Sequence, residues 1–200
     1  MHELTTHPAD PHVLFRAWYE DAQRCDAIRY AHAMCLSTVD AEGLPDARTV
    51  LLKHFDDAGF VFFTDARSPK ARQLEGRPAA ALTFYWGPLD RQVRLRGEVA
   101  PAGDERSDAC FALRPRESRI TAWASRQSEP LARRGELEER VESLTKEFEN
   151  EDAVPRPPHW RAYRLTARIV EFWQARAGRL HDRLLYVRDG GGWRTSWLEP

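Results

Sequence analysis

The sequence holds two blocks of short strands separated by a helical segment, and this order limits the folds it can adopt. The first block has candidate strands rich in β-branched and aromatic residues and bounded by polar turns, at residues 34–39, 48–54, 60–64, 79–86 and 91–99. A helical insert over about residues 104–150 precedes a second strand block at residues 160–200. Because the last strands need partners from the first block, we expect a single domain over residues 1–200. It should be a mainly β, antiparallel barrel with peripheral helices.

Three helices outside the strands have clear signals. Asp10-Pro11 and Ser68-Pro69 each place a capping side chain before a proline that suits the first helical turn. They predict a helix over residues 11–25 and a second helix that Ser68 caps. The clearest helix is predicted over residues 129–150, where one apolar stripe combines Leu137, Val141, Leu144 and Phe148.

Composition excludes several function classes. The 200 residues include 30 basic and 31 acidic side chains, a balance that argues against nucleic-acid or anionic membrane surfaces as partners. The cysteines Cys25, Cys35 and Cys110 match neither a disulfide framework nor a zinc motif, and the seven histidines are scattered, so no metal site is predicted. No targeting signal or membrane-length apolar run is seen. We therefore expect a cytoplasmic protein.

Side chains suited to phosphate or carboxylate occur on several separate elements of this near-neutral chain. Each is weak evidence alone, because Arg and Lys are most often solvated or paired with carboxylates. Arg48 and Lys53 have opposite parity on an ideal strand, so they cannot both face one ligand without a bulge. The other such groups are Lys70 at a predicted helix start, Gln92, Arg94 and Arg96 on one strand face, and Arg114, Ser118, Gln127 and Ser128 around the insert.

The segment Arg179-Leu180-His181-Asp182-Arg183 concentrates charge most strongly. If it is a strand, Arg179, His181 and Arg183 share one face within about 13 Å. These groups repel one another unless an anion lies across them, and guanidinium forks suit phosphate and carboxylate. The alternative is a solvated strand face whose charges pair with Asp or Glu.

Taken in order, these motifs resemble those of the pyridoxine/pyridoxamine 5′-phosphate oxidase family, from about Pro8 to Pro200. The segments that carry the resemblance are residues 48–53, 59–64, 91–93, 114–118, 122–128, 171–174 and 179–183. The resemblance implies an FMN-binding split β-barrel of antiparallel Greek-key type, in a homodimer with FMN at the subunit interface. The implied reaction oxidises pyridoxamine or pyridoxine 5′-phosphate at its 4′ carbon to pyridoxal 5′-phosphate. Hydride passes to flavin N5, and O2 accepts the electrons to give H2O2.

The resemblance also implies roles for individual residues. It implies FMN binding by Arg48, Thr49, Val50, Leu51, Leu52, Lys53, Phe63, Thr64, Lys70, Gln92, Gln127, Ser128, Trp173 and Arg183. It implies that Lys53, Arg114 and Ser118 hold the substrate phosphate. Arg179 and His181 would lie over the pyridine ring as substrate-binding and catalytic residues, with Arg179 positioning the substrate over N5. No general base is assigned.

Several positions depart from the family pattern. Cys110 replaces a tyrosine and Pro69 an arginine, Thr121 and Arg161 stand where glycines are usual, and the arm before Asp10-Pro11 is short. These changes leave open a second function, that of a related FMN oxidase that acts on another ring substrate, as in phenazine biosynthesis. A flavin-free module that binds RNA through residues 91–96 is a third possibility, and the near-neutral charge disfavours it.

Overall fold

The computed structural model describes Leu4 and residues 7–200. Most of the stretch Met1–His7, which lacks a targeting signal in the sequence, is outside the described residues. The strands are β1 Ala33–Val39, β2 Pro45–Leu51, β3 His54–Asp56, β4 Gly59–Asp65, β5 Ala79–Trp86, β6 Arg91–Pro101, β7 Trp160–Gln174, β8 Asp182–Asp189 and β9 Gly192–Trp197. The helices are α1 Pro11–Arg24, α2 Pro69–Gly76, α3 Asp104–Ala112, α4 Arg116–Ala124 and α5 Gly135–Glu147. None of the helices in this part of the chain has the length and apolar character needed to cross a bilayer.

The strands form one antiparallel sheet with the order β2-β1-β5-β6-β7-β4-β3. Strand β7 organises the sheet, because its first residues pair with β4 and its last residues pair with β8, which in turn pairs with β9. Strand β6 pairs along the other edge of β7. The late strands are thus partners of the early ones, as the order of elements in the sequence predicts.

The sheet curls into a barrel, since β2 and β3 stand at opposite ends of the strand order yet are joined by a bend of only two residues, Leu52 and Lys53. Strand β2 pairs with β1 at one edge, whereas β3 pairs with β4 at the other. At the bend, the Lys53 N–H donates to the Val61 carbonyl oxygen at 2.9 Å. Helix α1 packs against the barrel, where Phe15 meets Phe60 edge to face at 4.9 Å and Trp18 is fully buried.

Two glycines allow β7 to approach its neighbours closely. A Cβ on Gly59 would lie 2.2 Å from the Leu165 carbonyl oxygen. A Cβ on Gly97 would lie 2.0 Å from the Thr166 carbonyl oxygen. Gly97 follows a shift of register in β6, so the strand bends there without a side chain in the way. Any larger residue at either position would push the strands apart.

Three local predictions were wrong in part. The strand predicted over residues 48–54 ends at Leu51. The helix predicted over residues 129–150 covers only Gly135–Glu147, close to the span of its apolar stripe, and that stripe is only partly buried. The Ser68 hydroxyl does not cap α2, because it donates to the Asp65 carbonyl oxygen at 2.7 Å instead. The predicted α1 is confirmed, with Asp10 accepting a hydrogen bond from the His12 N–H at 2.8 Å.

Candidate functional site

A groove of about 800 Å³ lies between the barrel and the helical insert, with walls from β2, β4, α2, α3 and α4. The predicted site residues that line it are Arg48, Thr49, Val50, Leu51, Lys53, Phe63, Thr64, Lys70, Arg114, Ser118, Gln127 and Ser128. Arg48 and Lys53 both face it because β2 ends at Leu51, between them. The end of the strand, rather than the expected bulge, reconciles their opposite parity. The fold therefore gathers anion-suited side chains from distant parts of the sequence into one cavity.

One cationic group in the groove consists of Arg48 and Lys70. Lys70 is 8% exposed, and its Nζ donates to Gln127 Oε1 at 2.7 Å, while the Thr64 hydroxyl donates to the same oxygen at 2.9 Å. Burial lowers the pKa of Lys70, and the nearby charge of Arg48 lowers it further. An anion held between these two cations would relieve both effects.

The turn before α2 links this cationic group to α4. Asp65 accepts hydrogen bonds from the Arg67 N–H and from its guanidinium, each at 2.7 Å, and the same guanidinium donates to the Ser125 carbonyl oxygen at 3.0 Å. Burial alone would raise the pKa of Asp65, but the bonds from Arg67 hold it below its usual value. This ion pair joins the end of β4 to the segment that carries Gln127.

A second cationic group in the groove consists of Lys53 and Arg114. The Arg114 guanidinium lies 5.1 Å from the Trp160 ring centre and donates to the Ser118 carbonyl oxygen at 3.0 Å. Burial lowers the pKa of Arg114. Burial also raises the pKa of the adjacent Cys110 thiol, an effect that Lys53 and Arg114 only partly oppose, so the thiol is neutral at pH 7.

A separate row of site residues lies on the outer face of the sheet. Gln92 pairs in register with Trp173, and Trp173 pairs with Arg183, so the three side chains lie side by side across β6, β7 and β8. Arg183 Nε donates to Glu171 Oε1 at 2.9 Å, and Arg94 contacts the same carboxylate at 3.2 Å. We call Gln92, Trp173 and Arg183 the outer row; among the described residues, it is not part of the groove lining.

Of residues 179–183, only Asp182 and Arg183 lie in a strand, so the shared strand face considered for Arg179, His181 and Arg183 does not form. Strand β8 begins at Asp182, and the chain before it makes a tight turn with Gly178 at φ 66° and Arg179 at φ 60°. A left-handed turn cannot belong to a strand, and alternation of side chains does not reveal it. His181 nevertheless reaches the outer row, because its ring centre lies 4.7 Å from that of Trp173.

One predicted cofactor residue points elsewhere. Leu52 is 4% exposed in the barrel core, and its N–H donates to the His32 carbonyl oxygen at 2.8 Å. The roles implied by the resemblance also left out several residues that line the groove, namely Asp65, Leu113, Pro115, Ala122, Ser125, His159 and Trp160. His159 and Trp160 follow a proline-rich segment with no local feature of a binding site, so only the tertiary fold reveals them.

The model of the pyridoxamine 5′-phosphate oxidase family matches residues 21–147. The chain belongs to this family. A second model, the pyridoxine 5′-phosphate oxidase C-terminal dimerisation region, matches residues 160–200 and includes Trp173, Arg179, His181 and Arg183. The resemblance found in the motifs is therefore confirmed.

Known proteins with similar sequences or structures cover almost the whole chain. It is 51% identical over 191 residues to the pyridoxine/pyridoxamine 5′-phosphate oxidase of Rubrobacter xylanophilus, covering 96% of this chain and 87% of that protein. The Caulobacter vibrioides enzyme of the same name is 50% identical, with 96% and 85% covered. PhzG from Burkholderia lata, solved with tetrahydrophenazine-1-carboxylic acid, superposes with a TM-score of 0.90 at 32% identity, covering 96% and 94%.

A more distant structure supports the fold alone. A pyridoxamine 5′-phosphate oxidase-related, FMN binding protein from Nostoc punctiforme superposes with a TM-score of 0.74 at 21% identity, covering 98% of this chain and 100% of that one. The curled antiparallel sheet with peripheral helices is the split barrel of these relatives. The predicted fold class is thus confirmed.

Proposed function

We propose that this protein is an FMN-dependent oxidase that converts pyridoxamine or pyridoxine 5′-phosphate to pyridoxal 5′-phosphate, with O2 as acceptor and H2O2 as product. The observation that carries the proposal is the presence of two cationic groups in one groove, Arg48 with Lys70 and Lys53 with Arg114. FMN and the substrate each bring one phosphate, so two phosphate sites are what this reaction needs. Relatives that are 47–51% identical bear the name of this activity.

The groove suits FMN in its chemistry as well as its charge. Arg48 and Lys70 would hold the flavin phosphate, helped by the hydroxyl of Thr64 and the amide of Gln127. Val50, Leu51 and Phe63 give apolar lining beside these groups. FMN, when bound, supplies a hydride acceptor that O2 can reoxidise.

The protein would act as a homodimer with FMN between the subunits. The outer row carries residues implied in flavin binding, yet it lies outside the groove of its own chain, and its members Trp173 and Arg183 are inside the segment matched by the dimerisation model. A second copy would bring its outer row to the open side of the groove, because interfaces between identical chains are usually two-fold. The two subunits would then complete each other's sites.

The remaining residues would hold and orient the substrate. Arg114 and Lys53 would bind its phosphate, with Ser118 fixing Arg114 through its carbonyl oxygen. Arg179 and His181, arriving with the outer row, would lie over the pyridine ring. His181 Nδ1 accepts the Arg176 N–H at 3.2 Å, so the neutral ring carries its proton on Nε2, which is then the hydrogen-bond donor.

The phenazine-type alternative has weaker support. PhzG is 32% identical, well below the 51% of the Rubrobacter enzyme. Of the departures that favour the alternative, Cys110 and Thr121 line the groove, whereas Arg161 lines a separate cavity beneath the Asp65 turn. The cationic pair Lys53 and Arg114 suits a doubly charged phosphate better than the single carboxylate of a phenazine acid.

The test starts with the absorption spectrum of the purified protein and the mass of the small molecule it releases. We expect a flavin band near 450 nm and the mass of FMN. Pyridoxamine 5′-phosphate should then produce H2O2 and pyridoxal 5′-phosphate in equal amounts, whereas unphosphorylated pyridoxamine should react far more slowly. A flavin-loaded protein that oxidises tricyclic substrates but not pyridoxamine 5′-phosphate would favour the alternative.

A further inference from the structure

We propose that Gln73 on α2 is a positioning residue for flavin binding, which fixes the guanidinium of Arg48 in the orientation that meets the flavin phosphate. This inference rests on the proposed function. Gln73 is outside the residues that line the groove, whereas Arg48 lines it. Gln73 would therefore act only through Arg48.

The contacts around Arg48 form a closed network. Arg48 Nη1 donates to the Leu36 carbonyl oxygen at 3.0 Å and to the Thr38 hydroxyl at 2.7 Å. Arg48 Nη2 donates to Gln73 Oε1 at 3.3 Å and is ion-paired with Asp46. All four terminal N–H groups of the guanidinium thus have acceptors within the chain, which leaves Nε–H for a ligand.

Gln73 connects the members of this network. Its Oε1 accepts hydrogen bonds from both the Thr38 hydroxyl and Arg48, and its Nε2 donates to Asp46 Oδ2 at 3.2 Å. The opposite amide orientation would turn an NH2 group toward the guanidinium, so only one orientation satisfies every partner. Thr38 is 2% exposed, and its hydroxyl accepts from Arg48 while it donates to Gln73.

The network has a consequence for Lys70 as well. Arg48 lies close enough to lower the pKa of Lys70, so the two cations repel each other when no anion is bound. A free arginine side chain would rotate away from this repulsion. The bonds to Gln73, Thr38 and Asp46 prevent that rotation and keep Arg48 in place before the phosphate arrives, which reduces the entropy lost on binding.

The experiment compares the dissociation constants of FMN and riboflavin for apoprotein, followed by flavin fluorescence. Gln73→Met keeps the length of the side chain but removes both the acceptor and the donor. We expect FMN to bind about tenfold more weakly to this variant. Riboflavin, which lacks the phosphate, should bind as it does to the wild type. A general loss of structure would weaken both ligands equally, so the ratio isolates the role of Arg48.

Arg72→Met is the matched control, because Arg72 is the exposed neighbour of Gln73 on α2. It should leave both constants unchanged. Thr38→Val is a second variant that breaks the same network from β1, and it should also weaken FMN selectively. Equal weakening of both flavins, or no change in Gln73→Met and Thr38→Val, would overturn the role of Gln73. Wild-type protein that binds FMN no better than riboflavin would instead contradict the proposed function.

Discussion

The groove and the outer row both contain side chains that are suited to binding a ligand, but these side chains are held in different ways. In the groove, Lys70 donates to the Gln127 amide oxygen and Arg114 to the Ser118 carbonyl oxygen, and Lys70 is almost fully buried. Arg48 is held by the Thr38 hydroxyl and by the carboxylate of Asp46. In the outer row, Trp173 and Arg183 are only partly buried, and Arg183 is held by the carboxylate of Glu171. The groove presents net positive charge, whereas the carboxylate of Glu171 balances most of the positive charge of the outer row.

This difference indicates a division of labour between two copies of the chain. Lys70 and Arg114, whose hydrogen-bond partners are neutral, keep their charge available for an anion, so the groove is suited to hold phosphate. The charge of an arginine paired with Glu171 is largely balanced, so the row is suited to shape, stacking and hydrogen bonding. The row would therefore complete a site that the groove begins.

The largest effect should come from the groove. Arg114→Met removes a partly buried charge but keeps an apolar side chain beside Trp160. We expect kcat/KM for pyridoxamine 5′-phosphate to fall about 100-fold, since a charge-assisted contact to the phosphate is lost. Steady-state H2O2 release measures this. FMN content should stay at the wild-type level. If Arg114→Met lost its flavin instead, Arg114 would hold the flavin phosphate and not the substrate phosphate.

The second prediction tests whether the two regions act across subunits. Arg114→Met has a defective groove, and Trp173→Leu has a defective row. When the two variants are co-expressed, about half of the dimers should be mixed, and one site in each would have an intact groove and an intact row. We expect recovery to about one quarter of wild-type activity in the mixture. Activity no higher than the mean of the two separate variants would mean that each row serves its own groove.

The sequence predicted the barrel better than it predicted the site. Strands such as β1 and β4 follow from β-branched and aromatic residues between polar turns, which are local signals. The turn at Arg179 was missed because its left-handed backbone leaves no mark on the alternation of side chains. Gln73 was missed because its partner Thr38 is 35 positions away in the chain. Only the packing of α2 against β1 brings these residues together.

The third prediction concerns the cost of keeping a cation in the groove. Burial and Arg48 lower the pKa of Lys70 below 10.5, so at pH 7 protonated Lys70 destabilises folded apoprotein relative to the unfolded chain. Lys70→Met should raise the melting temperature of apoprotein at pH 7 by about 2–4 °C, the shift that about 1 kcal/mol produces in a chain of this size. The melting temperature of wild-type apoprotein should approach that of the variant as pH rises through the lowered pKa of Lys70, because Lys70 then loses its charge in the folded state. With saturating FMN the wild type should have the higher melting temperature. If Lys70→Met still had the higher melting temperature in FMN, the flavin phosphate would have to lie away from Lys70.

The smallest effect is expected at Cys110, which lies in the groove but contributes no charge. Its thiol is neutral at pH 7, because burial raises its pKa more than Lys53 and Arg114 lower it. Cys110→Ser replaces a weak hydrogen-bond donor by a stronger one beside the substrate phosphate site, so KM for pyridoxamine 5′-phosphate should fall by no more than about threefold while kcat stays constant. Cys35→Ser, at a half-buried cysteine on β1 outside the groove lining, is the control and should leave KM unchanged. A large loss of kcat in Cys110→Ser alone would show that the thiol takes part in the reaction. The groove would then contribute to catalysis mainly through this thiol and not through its positive charge.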